Sequence, residues 1–383
     1  IEENFTFRDL NKNGRLDMYE DYREPIDRRV EDLLNQMTIK EKIGQMFITM
    51  IGMGRRGAHL DVPPIILDFF DDPILEFGLY FSLETNAEMI VNRKMSHFNI
   101  LQAYTPEAIA RFNNNLQRKA ERTRLGIPVT IATDPRHGAR EDEKGVGGIF
   151  TPSFSRWPTS LGLAATRDTT LVREFGEIAR EEYKACGIRL ALHPMADLAT
   201  EPRWARINGT FGEDAEISAA MTYSYIKGFQ GDTLSSKSVI TMVKHFSGGG
   251  PQKDGEDAHF PYGKEQVYPG NNFDYHLIPF TKGALPANTG QIMPYYGIPV
   301  GQTKEEVGFG FNKEIITELL RDSLKFDGVV CTDWNIINTM PLAELAGGER
   351  SWGVENLTPE QRMKKTILAG VDQIGGETST EQI

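Results

Sequence analysis

Cysteine is scarce in this chain, with Cys186 and Cys331 the whole complement among 383 residues. Each falls in an apolar segment that reads as buried, which excludes a disulfide framework and a Cys-ligated metal centre. Long apolar runs are missing too. No stretch approaches the length of a membrane span, and the N-terminal Ile1-Glu2-Glu3-Asn4 lacks the basic and apolar regions of a signal peptide. A mature exported protein would begin the same way, and a secreted or periplasmic location is the expectation. Positive charge is in short supply: 42 Lys and Arg stand against 54 Asp and Glu, for a formal net charge of -12 and a pI near 5.2. With no basic cluster beyond Arg28-Arg29 and Lys364-Lys365, a nucleic-acid surface is excluded and a neutral substrate is favoured. GxSxG, HExxH and CxxC do not occur. Gly145-Val-Gly-Gly148 and Gly248-Gly-Gly250 lack both the GxGxxG spacing and the strand-to-helix setting of a nucleotide fingerprint. There is no internal repeat and no low-complexity tract.

What is present is enough apolar material for a full core, 39% of residues, in a length that fits one large α/β barrel or two ordinary domains. Short β-branched or apolar runs predict strands over 46–50, 78–82, 128–133, 188–193, 239–246, 291–295, 328–332 and 371–375. Between several of them the period shifts to that of a helix, over 106–122, 169–186, 215–229, 312–324 and 359–369. A helix is also expected over 25–37, with Ile26, Val30, Leu33, Leu34 and Met37 on one face, and Thr38 to Glu41 forms a capping box for the next. Eight strands alternating with amphipathic helices indicate an α/β protein of the (β/α)8 TIM barrel class, with a doubly wound sheet as the alternative. The barrel is expected over residues 25–383, behind an extension of residues 1–24.

That extension carries a specific pattern. Asp9, Asn11, Asn13, Arg15, Asp17 and Glu20 occupy positions 1, 3, 5, 7, 9 and 12 of a calcium loop, with Gly14 at the sharp turn. Arg15 offers its backbone carbonyl, so its charge is no objection. The competing reading is an Asx-rich surface turn that holds no metal.

Polar residues collect where the predicted strands end: Asp134, His193, Lys244 and His245, Tyr296, and Asp333 with Trp334. In barrels the C-terminal ends of the strands are where catalytic groups gather. Singly, each has an ordinary explanation: Asp134 forms a turn, Lys244 is a solvated strand end, His245 is a satisfied core histidine and Asp333 caps a turn. Together they give directional donors and acceptors plus an apolar platform, which is how a polyhydroxylated ring is held.

The chain resembles glycoside hydrolase family 3 in Arg29-Val-Glu-Asp-Leu-Leu34, Ile43-Gly-Gln-Met46, Ile127-Pro128 with Asp134 and His137-Gly138, Leu161-Gly-Leu-Ala-Ala-Thr166, Pro202-Arg-Trp-Ala-Arg206, Phe211-Gly-Glu-Asp214, Lys244-His-Phe246, Phe326 to Trp334, and Ala369-Gly-Val-Asp372. The resemblance implies a retaining exo-β-glycosidase, most simply a β-glucosidase, with Asp333 as the covalent nucleophile. It also implies that Asp134, Arg203, Lys244, His245 and Tyr296 bind sugar hydroxyls, with Trp334 against the ring, and that no cofactor is needed for catalysis. Retaining hydrolysis further requires an acid about 5–5.5 Å from the nucleophile, which in family members of this kind comes from a C-terminal domain. On this reading the chain is the barrel of a longer protein whose partners are that domain, a carbohydrate and a second copy in a homodimer. Two alternatives stand beside it. Asp257 and His259 resemble the Asp-His dyad of single-domain β-N-acetylhexosaminidases, and a sugar-binding barrel without turnover is the reading from outside the enzymes.

Overall fold

The computed structural model describes residues 6–54, 57–59, 84–100, 105–138, 144–145, 148–149, 153–338 and 350–383. Among them, eight strands form one parallel sheet: β1 (Phe47–Met50), β2 (His97–Asn99), β3 (Thr130–Thr133), β4 (Leu190–Ala191), β5 (Ile240–Phe246), β6 (Gln291–Pro294), β7 (Val329–Val330) and β8 (Ile374–Gly375). Their spatial order is β7-β6-β5-β4-β3-β2-β1-β8, so each strand from β1 to β7 lies beside the next in sequence and β8 returns to pair with β1. The ends of this row meet. Cys331 bridges Gln373 in parallel, and Thr332 N–H donates to the Gln373 carbonyl at 2.9 Å. The sheet therefore curls round on itself with helices outside, the α/β architecture that the alternating periods predict.

Seven of the expected strands appear, each within its predicted range. The candidate over 78–82 lies outside the described residues, and the strand paired between β1 and β3 is His97–Asn99 instead. The expected helices form as α1 (Ile26–Gln36), α2 (Ile39–Gln45), α3 (Pro106–Glu121), α4 (Thr169–Ala185), α5 (Ala215–Gln230), α6 (Glu314–Ser323) and α7 (Pro359–Ala369). Their starts follow local chemistry. Thr38 caps α2 in a reciprocal box with Glu41, and the carboxylates of Asp168 and Asp214 each accept two backbone N–H groups at the starts of α4 and α5. α6 is wound in wider π turns.

The core has two layers. Ile48, Met50, Ala132, Leu190, Leu192, Met242, Met293, Cys331 and Trp334 fill the inside of the curl, and a larger cluster lies between sheet and helices. The α4–α5 crossing depends on glycine. A Cβ on Gly176 would lie 2.8 Å from Gly228 Cα, and one on Gly228 would lie 2.7 Å from Gly176 Cα. An alanine at either position would wedge the helices apart, at a cost of about 1–3 kcal/mol. Both cysteines are buried and unpaired, as their apolar settings predict. α1 has its apolar stripe, but Ile26 is 74% exposed and Val30 and Leu34 also face solvent; only Met37, just past the helix, is buried.

Candidate active site

The sheet brings strand-end side chains from different parts of the chain into one cluster. Lys244, on β5, donates from Nζ to Asp134 Oδ1 at 3.0 Å, and Asn99, on β2, donates from Nδ2 to Asp134 Oδ2 at 3.1 Å. Burial disfavours charge on Asp134, but the Lys244 ammonium and these hydrogen bonds outweigh it and hold the carboxyl below its usual range. The group is an anchored anion with two donors fixed beside it.

His245 follows on the same strand. Its backbone N–H and ring Nδ1 both bond the carboxylate of Asp197, at 3.1 and 2.7 Å, and Gly249 N–H adds a third donor. Burial pushes the His245 pKa down although Asp197 pulls it up, so near neutral pH the ring is uncharged with its proton on Nδ1. Nε2 then accepts from Arg206 Nη1 at 3.4 Å and lies 3.6 Å from Asp333 Oδ2. With a neutral ring that last approach is no ion pair; it leaves two acceptors side by side, close enough for one donor to reach both.

Asp333 follows β7. Oδ1 accepts the Trp334 N–H at 2.7 Å, while Oδ2 is buried and has no hydrogen-bond partner among the described residues. Asn99 Oδ1, Arg206 Nε and Trp334 Nε1 are unpartnered in the same way. A buried polar atom left unpaired costs about 1–3 kcal/mol, so such a set marks where a ligand rich in hydroxyls would be received. The Trp334 indole packs on the end of β8: a Cβ on Gly375 or Gly376 would come within 2.8 Å of its ring atoms.

Arg203, expected among the sugar contacts, lies outside the cluster. Its side chain is 63% exposed and bonded to Glu201 at 2.8 Å. Arg206, three residues on, is the arginine that reaches the site. Burial opposes its charge, but Tyr295, Asp257, Asp333 and Asp197 surround it and raise its pKa. Asp197 and Arg206 were not among the candidates read from the sequence. Asp197 lies six residues past Ala191, too far from the strand end for the signal that marks Asp134 and Asp333; Arg206 sits in a loop with no period to separate it from Arg203. Tyr296 is present, but its hydroxyl donates to the Trp334 carbonyl at 2.9 Å and accepts from Trp334 N–H at 3.0 Å and Arg350 Nη1 at 3.2 Å. It is committed to the turn that carries Asp333.

The Asp257-His259 pair is assembled. His259 Nδ1 lies 2.5 Å from Asp257 Oδ1, Asp257 Oδ2 accepts from Trp204 Nε1 at 2.7 Å, and the His259 ring lies 4.7 Å from that of Tyr296. Burial and the charge of Arg350 push the His259 pKa down to about 4 against the pull of Asp257. The imidazole is thus neutral at pH 7.

The calcium-loop residues also come together. Asp9 accepts from Asn13 N–H and Gly14 N–H at 3.0 and 2.9 Å; Glu20 accepts from Leu10, Asn11 and Asp17 N–H; Arg15 N–H bonds Asn13 Oδ1. Nδ2 of Asn11 and of Asn13 each donates to Asp17 Oδ2 at 2.6 Å. Among the described residues no group of three His, Cys, Asp or Glu side chains is placed to hold a metal by itself, so a cation here would need the Asn oxygens as well.

A family model described as "Glycosyl hydrolase family 3 N terminal domain" matches residues 38–375. The chain belongs to glycosyl hydrolase family 3. It is 49% identical over 378 residues to "Beta-glucosidase C" of Emericella nidulans, covering 98% of this chain and 57% of that protein. To "Periplasmic beta-glucosidase/beta-xylosidase" of Dickeya chrysanthemi it is 43% identical over 392 residues, with the same coverage of each. The family 3 chain thus spans a little over half the length of the curated relatives it matches. Solved structures with the same fold include a beta-glucosidase from Listeria innocua in complex with glucose (TM-score 0.67, 21% identity, 93% of this chain and 43% of that one). A family 3 beta-N-acetylglucosaminidase from Paenibacillus is a second (TM-score 0.66, 20% identity, 90% and 57%).

Proposed function

We propose that this chain is the barrel of a retaining exo-β-glycosidase with β-glucosidase specificity, and that Asp333 is its nucleophile. The observation that carries the reading is the Asp333 carboxylate: one oxygen is pinned by the Trp334 amide, and the other is buried, has no hydrogen-bond partner among the described residues and lies 3.6 Å from His245 Nε2. Attack by Oδ2 on the anomeric carbon would break the glycosidic C1–O bond, the departing oxygen taking a proton from the acid, and form a glycosyl ester; water, deprotonated by the same group, would then release the sugar and regenerate the carboxylate. Asp134, Lys244, His245 and Arg206 hold the hydroxyls of the terminal sugar, with Arg206 in the place expected for Arg203, and Trp334 faces the ring. Tyr296 keeps the Asp333 turn in position. The printed names of the two relatives support β-glucosides as substrates, with β-xylosides a second class, and the periplasmic one supports a location outside the cytoplasm. The meeting of β7 and β8 supports reading the curled sheet as a closed (β/α)8 barrel over residues 25–383.

The acid, on this reading, comes from a C-terminal domain of the same protein. The length of the relatives beyond the matched part supports it. So does His259, which at a pKa of about 4 is a neutral imidazole at pH 7 whose one ring proton is engaged by Asp257. The assembled dyad is what favours a second reading, in which Asp257 and His259 supply the acid; His259→Ala would then slow substrates with poor leaving groups far more than activated aryl glycosides. We further infer that Asp9, Asn11, Asn13, Asp17, Glu20 and the Arg15 carbonyl hold a structural Ca²⁺. The Asp17 carboxylate already draws two amide N–H groups into the space a cation would take.

A 2-deoxy-2-fluoroglycoside that traps the glycosyl ester tests the central reading. The label is expected on the peptide containing Asp333 and absent from Asp333→Asn. A label on another carboxylate would remove the assignment.

A further inference from the structure

Phe260 and Tyr262 have no part in the cluster around Asp333, but they follow directly on His259 in the chain. They lie on the arm that follows the Asp257-His259 pair, 37% and 64% exposed, with rings parallel to within 3° and centroids 5.3 Å apart. Single exposed aromatics are ordinary on a protein surface; two held face to face at the edge of a sugar site call for a partner.

The arm that carries them is held by its backbone. Phe260 N–H donates to the Asp257 carbonyl and Gly263 N–H to that of Phe260, each at 3.0 Å, and Pro261 fixes the backbone φ of the residue between the two aromatics. Trp352 Nε1 bonds the Ala258 carbonyl at 2.8 Å, and Ile298 N–H bonds that of Lys264 at 2.8 Å. Gly263 packs so closely that a Cβ there would lie 2.2 Å from the Asp257 carbonyl oxygen. The rings are positioned before any ligand arrives, which removes the ordering cost that would otherwise weaken binding.

They also continue the site outward. His259, next to Phe260, packs on Tyr296, and the Tyr296 hydroxyl bonds the backbone of Trp334 beside Asp333. The charged, buried cluster is suited to the terminal sugar. In an exo-acting enzyme whatever is attached to that sugar extends from the cluster towards solvent, and the exposed ring pair begins one residue beyond His259, on the side of Tyr296 away from the Trp334 turn.

We propose that Phe260 and Tyr262 form the leaving-group subsite, a stacking platform for a second ring: the next sugar of a β-linked oligosaccharide or an aryl aglycone. The proposal rests on the reading of Asp333 as nucleophile in an exo-glycosidase. The test compares the intact wild-type protein with Phe260→Ala, Tyr262→Ala and Tyr262→Phe on three substrates that share a β-glucosyl unit: the fluoride, the methyl glycoside and a disaccharide. Methyl and sugar leaving groups are both poor, so their comparison isolates the ring. The disaccharide-to-methyl ratio of kcat/KM is expected to fall about tenfold in each alanine variant, as losing one aromatic contact implies, and to recover in Tyr262→Phe. An unchanged ratio overturns the proposal, whether both rates drop because the arm only positions His259 or neither drops because something else covers the rings. Failure of the wild type on all three substrates, the fluoride included, overturns the glycosidase reading itself and the subsite with it.

Discussion

His245 and Asp197 are joined twice, ring Nδ1 to Oδ2 at 2.7 Å and backbone N–H to Oδ1 at 3.1 Å, with both side chains closed off from solvent. This pair of hydrogen bonds to one carboxylate fixes the ring, its tautomer and the backbone at the end of β5. Nε2 is thereby turned as an acceptor towards Arg206 and the free oxygen of Asp333. Burial opposes ionisation of Asp197, but His245, the Gly249 amide and Arg206 keep its pKa below the usual carboxylate range, so it is an anion throughout the working pH.

Asp197→Ala would strand three donors in a dry site, each costing about 1–3 kcal/mol, and should shift the urea midpoint sharply downward. Asp197→Asn keeps the volume but offers one acceptor where two are used. It is expected to fold and to lose roughly 10–100-fold in kcat/KM, in line with disturbing one or two charge-assisted hydrogen bonds. Wild-type kinetics in Asp197→Asn would show that the orientation of His245 does not matter to turnover.

The two arginines of the Pro202 to Arg206 stretch should separate cleanly. Arg203→Ala removes an exposed side chain paired, among the described residues, with Glu201 and Asp254, and its kcat/KM should stay within about twofold of wild type. Arg206→Lys replaces a buried guanidinium with a point charge that cannot serve the same neighbours. It should lose roughly 10–150-fold, the equivalent of about 1.5–3 kcal/mol for a hydrogen bond to a charged group. The opposite ranking would return the sugar contact to Arg203.

The parts of the molecule legible in sequence are those where one residue's place follows from a period or a motif. Ile240–Phe246 is a strand whose end is visible in the sequence, and that end alone puts Lys244 and His245 at the C-terminal edge of the sheet. His97–Asn99 escaped because it spans three residues, two of them polar, without an alternation to read. The apolar face of α1 was legible, but periodicity says only that a face exists and not that anything covers it. Arg206 and Arg350 were out of reach for a related reason: each lies in an irregular loop, and a loop carries no rule for which side chain turns inward.

Asp333→Asn should separate activity from stability. If Asp333 is the nucleophile, the variant is expected to lose on the order of 10⁴–10⁶ in kcat. The amide keeps the shape of the side chain and replaces an oxygen that has no hydrogen-bond partner among the described residues with a donor, so the variant should melt near the wild-type temperature. Calorimetry and turnover on the same preparation check both halves; a large drop in melting temperature would mean that the carboxylate is part of the scaffold.

The N-terminal loop is docked on the turn before β3. Lys12 Nζ bonds the Leu10 and Thr123 carbonyls, and Tyr19 donates its hydroxyl to the Leu125 carbonyl at 3.2 Å. Calcium bound only by the folded loop should raise stability by about 2.7 kcal/mol at a hundredfold excess over its dissociation constant. Chelator should lower the melting temperature, and Glu20→Ala should abolish the response while leaving kcat unchanged. Identical melting curves with and without chelator would reduce the loop to an Asx turn.

His259 predicts the shape of the acid limb of the stability curve. Its pKa falls from an ordinary value near 6.5 to about 4 on folding. On acidification the unfolded chain therefore takes up the proton first, and stability is lost as pH falls from about 6.5 to about 4, by on the order of 3 kcal/mol for this residue. Asp134, Asp197 and Asp257 behave differently: their pKa values are lowered, so the stability they provide is complete above about pH 4 and disappears only as pH falls below it. The two windows do not overlap. In His259→Asn the fall in urea midpoint between pH 6.5 and 4 should become shallower by the contribution of one proton, while the steeper loss below pH 4 remains. If the midpoint of that variant tracks wild type through the upper window, the His259 imidazole is protonated in the folded protein at a higher pH than its burial implies. The argument against its serving as the acid would then fail with it.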